Sequence, residues 1–315
     1  MHKIKVAVIG VGKLGSIHAR VYSEMKNVEL VGVCDINPEK AKKLARLLKT
    51  NYYPQYHKII PLVEAVSIAV PTTIHYAIGK DFLRNGVHCL IEKPLTADIK
   101  EAEELLKIAK EKKCILQVGH IERFNPAIQT IMKLPGKPRF IECHRLGKFS
   151  PRIKDVGVVL DLMIHDIDII LTLVKASIET IDAMGVKILT KYEDIANARI
   201  KFTDGTICNL TASRVSDEIM RKIRIFKESA YISLDYFKQE VMVYRKEKKR
   251  IVSRLLSVKK EEPLKAEITS FINCLHKKSN PIVSGEEAYL ALKLAFQILE
   301  KIKENERKNN FHRCR

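Results

Sequence analysis

Short apolar runs alternate with amphipathic segments over residues 1 to 120. Strands are predicted at Ile4 to Ile9, Val28 to Cys34, Ala65 to Val70, Val87 to Ile91 and Cys114 to Val118. Helical spacing of apolar residues fills the intervals, as over Asn37 to Lys49 and Thr96 to Lys112. Strands that alternate with helices predict an α/β domain with a doubly wound parallel sheet of the Rossmann type over residues 1–120.

The pattern changes after about residue 178, where strand-like runs follow one another directly. These are Glu179 to Leu189, Ala196 to Phe202, Thr206 to Arg214, Arg221 to Phe226, Ala230 to Leu234 and Val241 to Arg245. Asp204-Gly205 predicts a hairpin, and helices are predicted over Leu264 to His276 and after Ser284, which forms a capping box with Glu287. We therefore expect residues 121–315 to form an α+β domain with a largely antiparallel open sheet, whose C-terminal helix packs back toward the first domain.

Length and composition agree with two domains, because the chain has 315 residues of which 46% are hydrophobic. Its seven cysteines are scattered, with no C-x-x-C pair, so we expect reduced and mostly buried thiols and no metal site. A strand pattern begins within the first residues, and no apolar run approaches the roughly 18 residues that span a membrane. These features predict a cytoplasmic protein with no membrane partner.

The formal net charge of +19 raises the alternative of a nucleic-acid-binding protein. However, the lysines mostly alternate with glutamates on helix faces, as over Lys100 to Lys113, and no recognition helix or aromatic residue accompanies the basic runs. We expect a solvated surface and no nucleic-acid partner. Part of the charge is expected to attract small anions, of which a dinucleotide is one and a phosphorylated substrate a further candidate.

A glycine-rich turn directly after the first strand is the first chemical signal. It consists of Gly10, Val11, Gly12, Lys13, Leu14 and Gly15. Such a turn lets a pyrophosphate sit on the N-terminus of the following helix. Asp35 ends the second strand 20 residues after Gly15, where a carboxylate binds the adenosine ribose and repels a 2′-phosphate. The pattern predicts NAD as the cofactor, although Lys40 and Lys43 leave some tolerance for NADP open.

Glu92-Lys93-Pro94 stands where another strand of this sheet ends. Ligands of open parallel sheets bind beyond the carboxyl ends of the strands, so Lys93 is expected to face the nicotinamide. A surface lysine beside a strand-ending proline is the structural alternative.

The segment Val158 to Val174 is predicted to be a mostly buried helix with one polar stripe. At 100° per residue, the side chains of Asp161, His165, Asp168 and Thr172 fall within about 60° of one another. Buried carboxylates and imidazoles need partners, so the stripe faces either an internal network or a solvated cleft. Asp166 lies on a different face and is interpreted as structural.

These motifs together resemble the glucose-fructose oxidoreductase/inositol dehydrogenase/MocA (Gfo/Idh/MocA) family nearly end to end. The resemblance is carried by Val6 to His18, Val70 to His75, Glu92 to Leu95, and Asp161 with His165. It implies that Lys93, Asp161 and His165 line the substrate pocket beside the nicotinamide. It also implies cofactor contacts from Pro71, Thr72, His75, Glu92 and Lys93.

Within the family, residues 118–126, 142–147 and 159–168 look most like UDP-N-acetylglucosamine 3-dehydrogenases. The resemblance implies NAD-dependent oxidation of a sugar secondary alcohol, the 3-hydroxyl of a UDP-N-acetylhexosamine. Dehydrogenases of polyols, inositols or other sugars and a cofactor-binding regulator remain alternatives. The chain departs from the family in having Thr72 and Thr73 where asparagine is common, and in a shorter stretch over residues 50–64.

The expected chemistry is hydride transfer from a carbinol carbon to the nicotinamide. His165 is the favoured base because its ordinary pKa of about 6.5 is near working pH, while Lys93 stabilises the developing alkoxide or takes the proton itself. Asp161 would orient the substrate or the imidazole. Candidate substrate contacts, for which surface or structural charge is the alternative, are Arg123, Asp168 and Arg152 in the loop over residues 148–155.

The predicted antiparallel sheet leaves one face open, and a second copy of the chain is its simplest cover. We therefore expect a homo-oligomer, a dimer or a tetramer.

Overall fold

A computed structural model describes residues 2–150 and 156–313, with side chains described as far as residue 308. The chain divides into two compact units. Unit 1 comprises Met1–Ile121 with Glu262–Tyr289, and unit 2 comprises Glu122–Glu261 with Leu290–Arg315.

Unit 1 is built on a six-stranded parallel sheet. Its strands are β1 (Ile4–Ile9), β2 (Val28–Cys34), β3 (Asn51–Tyr53), β4 (Ala65–Ile68), β5 (His88–Glu92) and β6 (Leu116–Gly119). Their order is β3-β2-β1-β4-β5-β6, and all neighbours are parallel. The predicted doubly wound sheet is confirmed, and its strand order reverses between β1 and β4, where such sheets open a ligand crevice.

Unit 1 has five α-helices in its described part, and side chains cap the first amides of two of them. The five are α1 (Lys13–Glu24), α2 (Pro38–Leu48), α3 (His75–Arg84), α4 (Ile99–Glu111) and α7 (Pro263–Lys277). The Asn37 side chain accepts from the Lys40 amide at 3.1 Å and Asp98 from the Lys100 amide at 2.8 Å, which satisfies amides that have no partner inside the helix. Ile268 and Phe271 of α7 are fully buried in the same core as Tyr22 of α1, so α7 is part of this unit.

Unit 2 is built on an eight-stranded, mostly antiparallel sheet. Its strands are β7 (Pro138–Leu146), β8 (Ile178–Val186), β9 (Ile195–Phe202), β10 (Ile207–Ser213), β11 (Met220–Lys227), β12 (Ala230–Asp235), β13 (Glu240–Glu247) and β14 (Arg250–Leu256). The order is β14-β13-β12-β11-β7-β10-β9-β8, with β7 and β10 as the parallel pair. The predicted hairpin at Asp204-Gly205 is confirmed, with Gly205 at φ +83° joining β9 to β10.

Three helices accompany this sheet. They are α5 (Pro126–Met132), α6 (Ile164–Leu173) and α8 (Gly285–Arg313), the last of which continues from unit 1 into unit 2. Its predicted capping box is confirmed, because the Ser284 hydroxyl accepts from the Glu287 amide and the Glu287 carboxylate accepts from the Ser284 amide, both at 3.2 Å.

The prediction of one regular helix over Val158 to Val174 is wrong in its first half. Val159–Met163 forms a π-helical turn that leads into α6. A π turn holds an extra residue per turn, so Asp161 and His165 are not spaced as on an ideal α-helix. Such turns occur frequently at functional sites.

The six cysteines in the described part of the chain are all unpaired thiols, five of them buried, as predicted. None of the helices in that part has the length and apolarity that crossing a bilayer requires.

Candidate active site

The glycine-rich turn between β1 and α1 has the geometry of a phosphate-binding loop. Gly10 has φ +86°, and a Cβ there would overlap the backbone of Ala69, while a Cβ at Gly15 would overlap the Gly10 carbonyl. Gly12 differs, because a Cβ there would meet nothing within 4 Å. Gly10 and Gly15 thus permit the tight turn and the close packing of α1, and Gly12 faces open space that a ligand can approach.

The N-terminus of α1 directly follows this opening. Gly12 is the N-cap residue of the helix, which begins with Lys13 and Leu14, and among the described residues no side chain caps its first amides. Unsatisfied amides together with the helix dipole favour an anion at this position. These features make the N-terminus of α1 a candidate site for a pyrophosphate.

Asp35, just after β2, is held by two backbone amides. Its Oδ2 accepts from the Val11 amide at 2.7 Å, and its Oδ1 accepts from the Asn37 amide at 2.8 Å. These bonds fix the carboxylate beside the glycine turn and leave each oxygen a further lone pair for a ribose hydroxyl.

A cavity of about 680 Å³ opens within unit 1 at this point. It is lined by residues of the glycine turn, by Asp35 and Ile36, by Tyr56 and His57, and by Val70 and Pro71. This volume falls in the usual range for cofactor sites of about 300–1,000 Å³. The mostly apolar lining with one fixed carboxylate fits an adenosine group, so the residues present fit a dinucleotide.

Glu92 is the last residue of β5, and Lys93 follows it at the carboxyl end of the sheet. The His75 ring connects this strand end to the turn after β4. Its Nδ1 lies 2.9 Å from the Pro94 carbonyl oxygen and its Nε2 lies 2.9 Å from that of Val70. Burial lowers the pKa of His75, and a neutral ring has one N–H, so in that state it donates to only one of these two carbonyls. Thr72 is buried in the short helical turn Thr72–Ile74 of the same segment.

Asp161 and His165 both lie in unit 2, on the π turn and the start of α6. Asp161 is 7% exposed, and its backbone amide donates to the Gly157 carbonyl at 3.0 Å. His165 is partly exposed in the first turn of α6. Lys93 belongs to unit 1, so the predicted catalytic residues are divided between the two units.

Arg123 and Asp168, two predicted substrate contacts, bind each other inside unit 2. An Arg123 Nη1 lies 3.3 Å from Asp168 Oδ1 and donates to the Thr172 hydroxyl at 2.6 Å. Both charged side chains are almost completely buried. The polar stripe of α6 therefore includes an internal ion pair, which was the structural alternative for this helix. Arg152, the third predicted contact, and the neighbouring Lys154 lie outside the described residues.

A second buried charge cluster in unit 2 was not predicted from the sequence. The Arg145 guanidinium donates through Nε and Nη2 to both oxygens of Asp166, at 3.0 and 2.9 Å, and through Nη1 to Glu122 at 2.9 Å. The Tyr236 hydroxyl lies 3.3 Å from Asp166, and burial raises the pKa of this tyrosine well above its ordinary value. Asp166 is thus structural, as interpreted from its position on the helix. The alternation of β7 could have marked Arg145 as inward-facing, but its partners come from distant segments.

Comparisons with known proteins agree with this geometry. A profile described as an oxidoreductase family with an NAD-binding Rossmann fold (Gfo/Idh/MocA) matches residues 4–120, and a profile of the Gfo/Idh/MocA C-terminal domain matches residues 134–233. The UDP-N-acetylglucosamine 3-dehydrogenase of Acidithiobacillus ferrooxidans is 36% identical over 305 residues, covering 95% of this chain and 97% of that protein. A solved structure of the enzyme of that name and organism has a TM-score of 0.91 and covers 96% of this chain and 99% of the other. The scyllo-inositol 2-dehydrogenase (NAD(+)) of Bacillus subtilis is 26% identical over 93% of this chain and 92% of that protein.

These findings confirm three predictions from the sequence. They are the family resemblance, the combination of a Rossmann domain with a mostly antiparallel α+β domain, and NAD as the cofactor of a dehydrogenase.

Proposed function

Because the chain belongs to the Gfo/Idh/MocA family of NAD-binding oxidoreductases, we propose that it oxidises the 3-hydroxyl of a UDP-N-acetylhexosamine to a ketone. The observation that carries this proposal is the 36% identity, over 95% of this chain, with the UDP-N-acetylglucosamine 3-dehydrogenase of Acidithiobacillus ferrooxidans. A likeness that covers both domains includes the part of the chain that would select the substrate.

NAD, when bound, supplies the acceptor for the hydride that leaves the carbinol carbon. In this proposal, the turn over residues 10–15 holds the pyrophosphate on the α1 N-terminus. The Asp35 carboxylate accepts hydrogen bonds from the adenosine ribose, and Pro71 and Thr72 line the path toward the nicotinamide. His75 and Glu92 support this path from the side away from the cofactor. The His75 ring lies between the turn after β4 and the segment that follows Lys93, 2.9 Å from a carbonyl oxygen of each.

Lys93 and His165 act on different atoms of the reacting hydroxyl group. The Lys93 ammonium hydrogen-bonds the hydroxyl oxygen and stabilises the negative charge that develops on it. The His165 imidazole takes the hydroxyl proton, because an ordinary histidine is partly neutral at working pH. Asp161 orients either the imidazole or a neighbouring sugar hydroxyl. The support for these roles is the match of all three residues to the family motifs.

Arg123 and Asp168 have a supporting role in this proposal rather than a direct contact with the diphosphate. Their buried ion pair fixes residue 168 and Thr172 of α6, the helix that carries His165. Removing one partner would leave a buried charge without compensation, which destabilises proteins strongly.

A substrate panel tests the proposed function. The purified protein is incubated with NAD and, in turn, UDP-N-acetylglucosamine, free N-acetylglucosamine, scyllo-inositol and myo-inositol, while NADH absorbance is followed. We expect kcat/KM for the UDP sugar to exceed the others by at least about tenfold, a difference of 1.4 kcal/mol in transition-state binding. A higher kcat/KM for an inositol would instead assign a polyol dehydrogenase. NAD binding without turnover of any alcohol would favour a regulatory protein.

We also propose that unit 2 forms a homo-oligomer through the open face of its sheet. Phe140, Phe226, Tyr231 and Tyr244 are cross-strand neighbours on four adjacent strands, with ring centroids 4.8 to 5.5 Å apart. Along each strand, the aromatic residue alternates with buried neighbours such as Ile225 and Ile232. The aromatic row therefore lies on the face of the sheet away from the core of unit 2. An aromatic row of this kind fits a second sheet. Light scattering at micromolar concentration should give at least a dimer, and a monomeric mass would contradict the proposal.

A cytoplasmic location is proposed from the thiols. All six cysteines of the described part are unpaired, as reducing compartments favour. Fractionation of the source cells tests this, and recovery outside the cytoplasm would contradict it.

A further inference from the structure

A group of buried polar side chains surrounds the end of β5 in unit 1. His18 Nε2 lies 3.1 Å from Glu92 Oε1, and His18 Nδ1 lies 3.2 Å from the Ser67 hydroxyl. The Tyr22 hydroxyl lies 2.7 Å from the same serine oxygen. Together with Glu267, these residues are called the Glu92 cluster below.

The hydrogens in this series of hydrogen bonds can be placed consistently. Tyr22 can donate to Ser67, Ser67 to His18 Nδ1, and the His18 Nε2–H to Glu92. Glu92 also packs directly on β6, because a Cβ at Gly119 would lie 2.8 Å from its Oε2. The Glu92 carboxylate is therefore fixed from two sides.

Glu267 reaches the cluster from α7. One of its carboxylate oxygens lies within 4.8 Å of ring and carboxylate atoms of both His18 and Glu92. The side chain is 0% exposed, and neither of its oxygens has a hydrogen-bond partner among the described residues. Its backbone carbonyl accepts from the Gln117 side chain of β6 at 3.4 Å, which ties this point of α7 to the sheet.

The charge balance of the Glu92 cluster favours no more than one ionised carboxylate. Two carboxylates at this distance repel each other, and His18 is their one potential cation among the cluster residues, already committed to Glu92 through its Nε2. Burial, and to a smaller extent the charge of Glu92, raises the pKa of Glu267 well above its ordinary value. Burial and the neighbouring carboxylate therefore favour the protonated form of Glu267, whose hydroxyl can donate.

We propose that Glu267 is a positioning residue for the oxidoreductase reaction: its carboxyl group carries a proton, shares it with Glu92, and thereby fixes the end of β5 immediately before Lys93. The inference rests on the proposed function, because it assigns Lys93 to the reacting oxygen. With His18 donating from α1 and Glu267 from α7, both oxygens of Glu92 can be held. The backbone that sets the direction of the Lys93 side chain is then held as well.

A purely structural role explains Glu267 poorly. A buried carboxyl group placed beside a second carboxylate destabilises a fold relative to an apolar side chain of similar size. The neighbouring positions of α7, Ile268 and Phe271, are apolar and fully buried, so a leucine would suit the environment. Groups that cost stability and persist at the edge of a site are typical of function.

Two substitutions separate these roles. Glu267→Gln keeps the shape and a neutral donor, whereas Glu267→Leu keeps the approximate size and removes the donor. We expect Glu267→Gln to keep kcat within about threefold of wild type. We expect Glu267→Leu to lower kcat by about 10- to 100-fold through misplacement of Lys93, with a melting temperature equal to or above that of wild type and with NAD affinity little changed. Glu262→Gln, an exposed carboxylate at the start of the same helix, is the control and should leave kcat unchanged.

Infrared difference spectra give a readout that needs no substrate. The wild type at neutral pH should show a carboxylic-acid carbonyl band that Glu267→Gln removes. Absence of this band in the wild type would overturn the proposal whether or not the sugar substrate is right, and so would a divalent cation found in stoichiometric amount with the Glu92 cluster. If the wild type oxidises a different alcohol, the proposed substrate fails while kcat with that alcohol still tests Glu267.

The kinetic outcomes that would overturn the proposal are also distinct. Unchanged kcat in Glu267→Leu would show that Glu267 only occupies space in the core and does not position Lys93. A loss in Glu267→Gln as large as in Glu267→Leu would mean that an ionised carboxylate is required. If Glu267→Leu does not fold, Glu267→Gln and the infrared band still decide between these cases.

Discussion

The glycines of the phosphate-binding turn allow binding and folding to be perturbed separately. Gly12 has φ −64° and open space where a Cβ would stand, so Gly12→Ala places a methyl group in the approach to the α1 N-terminus without a clash in the folded protein. Gly10 has φ +86°, and a Cβ there would overlap the backbone of Ala69. Gly10→Ala is therefore the matched variant that alters the fold.

The expected magnitudes follow from this geometry. An alanine is a poorer N-cap than glycine but restricts the unfolded chain, so Gly12→Ala should change the free energy of unfolding by no more than about 1 kcal/mol. Loss of one charge-assisted hydrogen bond to the pyrophosphate costs about 1.5–3 kcal/mol, which corresponds to NAD binding weakened about 10- to 150-fold. Gly10→Ala adds backbone strain to overpacking and should lower the free energy of unfolding by about 2–6 kcal/mol.

Calorimetric titration with NAD and thermal unfolding on the same preparations measure both quantities. The expected pattern is a stable Gly12→Ala with weak NAD binding and a Gly10→Ala that melts early. Full NAD affinity in a folded Gly12→Ala would refute the placement of the pyrophosphate at this turn, whatever the stability of the other variant.

Three further predictions test the remaining residues. Lys93→Ala and His165→Ala should each lower kcat by about 10²–10⁴-fold with little change in NAD affinity, since proton transfer and alkoxide stabilisation act in the transition state; unchanged kcat in both would remove them from the site. Wild type should bind NAD at least about tenfold more tightly than NADP, and Asp35→Ser should narrow this ratio in calorimetry; equal affinities in wild type would show that Asp35 does not select the cofactor. Burial lowers the pKa of His75, so the unfolded chain binds a proton that the folded chain does not as pH falls below about 6.5, and the free energy of unfolding should fall by up to about 1.4 kcal/mol per pH unit until the folded pKa is reached. Chemical denaturation of His75→Gln across this range should give a shallower slope, and an equal slope would contradict the assignment.

The sequence predicted the elements whose signals are local. β1 and β2 were placed at their observed bounds, because each is a short run of apolar residues between turn residues. The predicted cap of α8 and the predicted hairpin at Gly205 likewise depend on neighbouring residues. These features are set by backbone geometry and by hydrogen bonds over a few positions.

Elements whose stability comes from distant contacts were missed. β7 alternates correctly but carries Arg145 at an inward position, which makes sense only with Asp166 and Glu122 beside it. The three-residue β3 and the exposed, polar β14 have little apolar signal of their own. Nothing in a local pattern brings Glu267 next to Glu92, because their contact depends on how α7 packs on the sheet.

The central claim is that this chain moves a hydride from carbon 3 of the sugar to NAD, and the transferred atom itself can be followed. The proposed UDP-sugar, deuterated at carbon 3 of its hexosamine ring, is incubated with the enzyme and NAD, and the cofactor is analysed by mass spectrometry and NMR. The account predicts deuterium at carbon 4 of the nicotinamide ring, a ketone at carbon 3 of the sugar, and a slower rate than with unlabelled substrate. Unlabelled NADH, or a sugar product that keeps its deuterium at carbon 3, would contradict it.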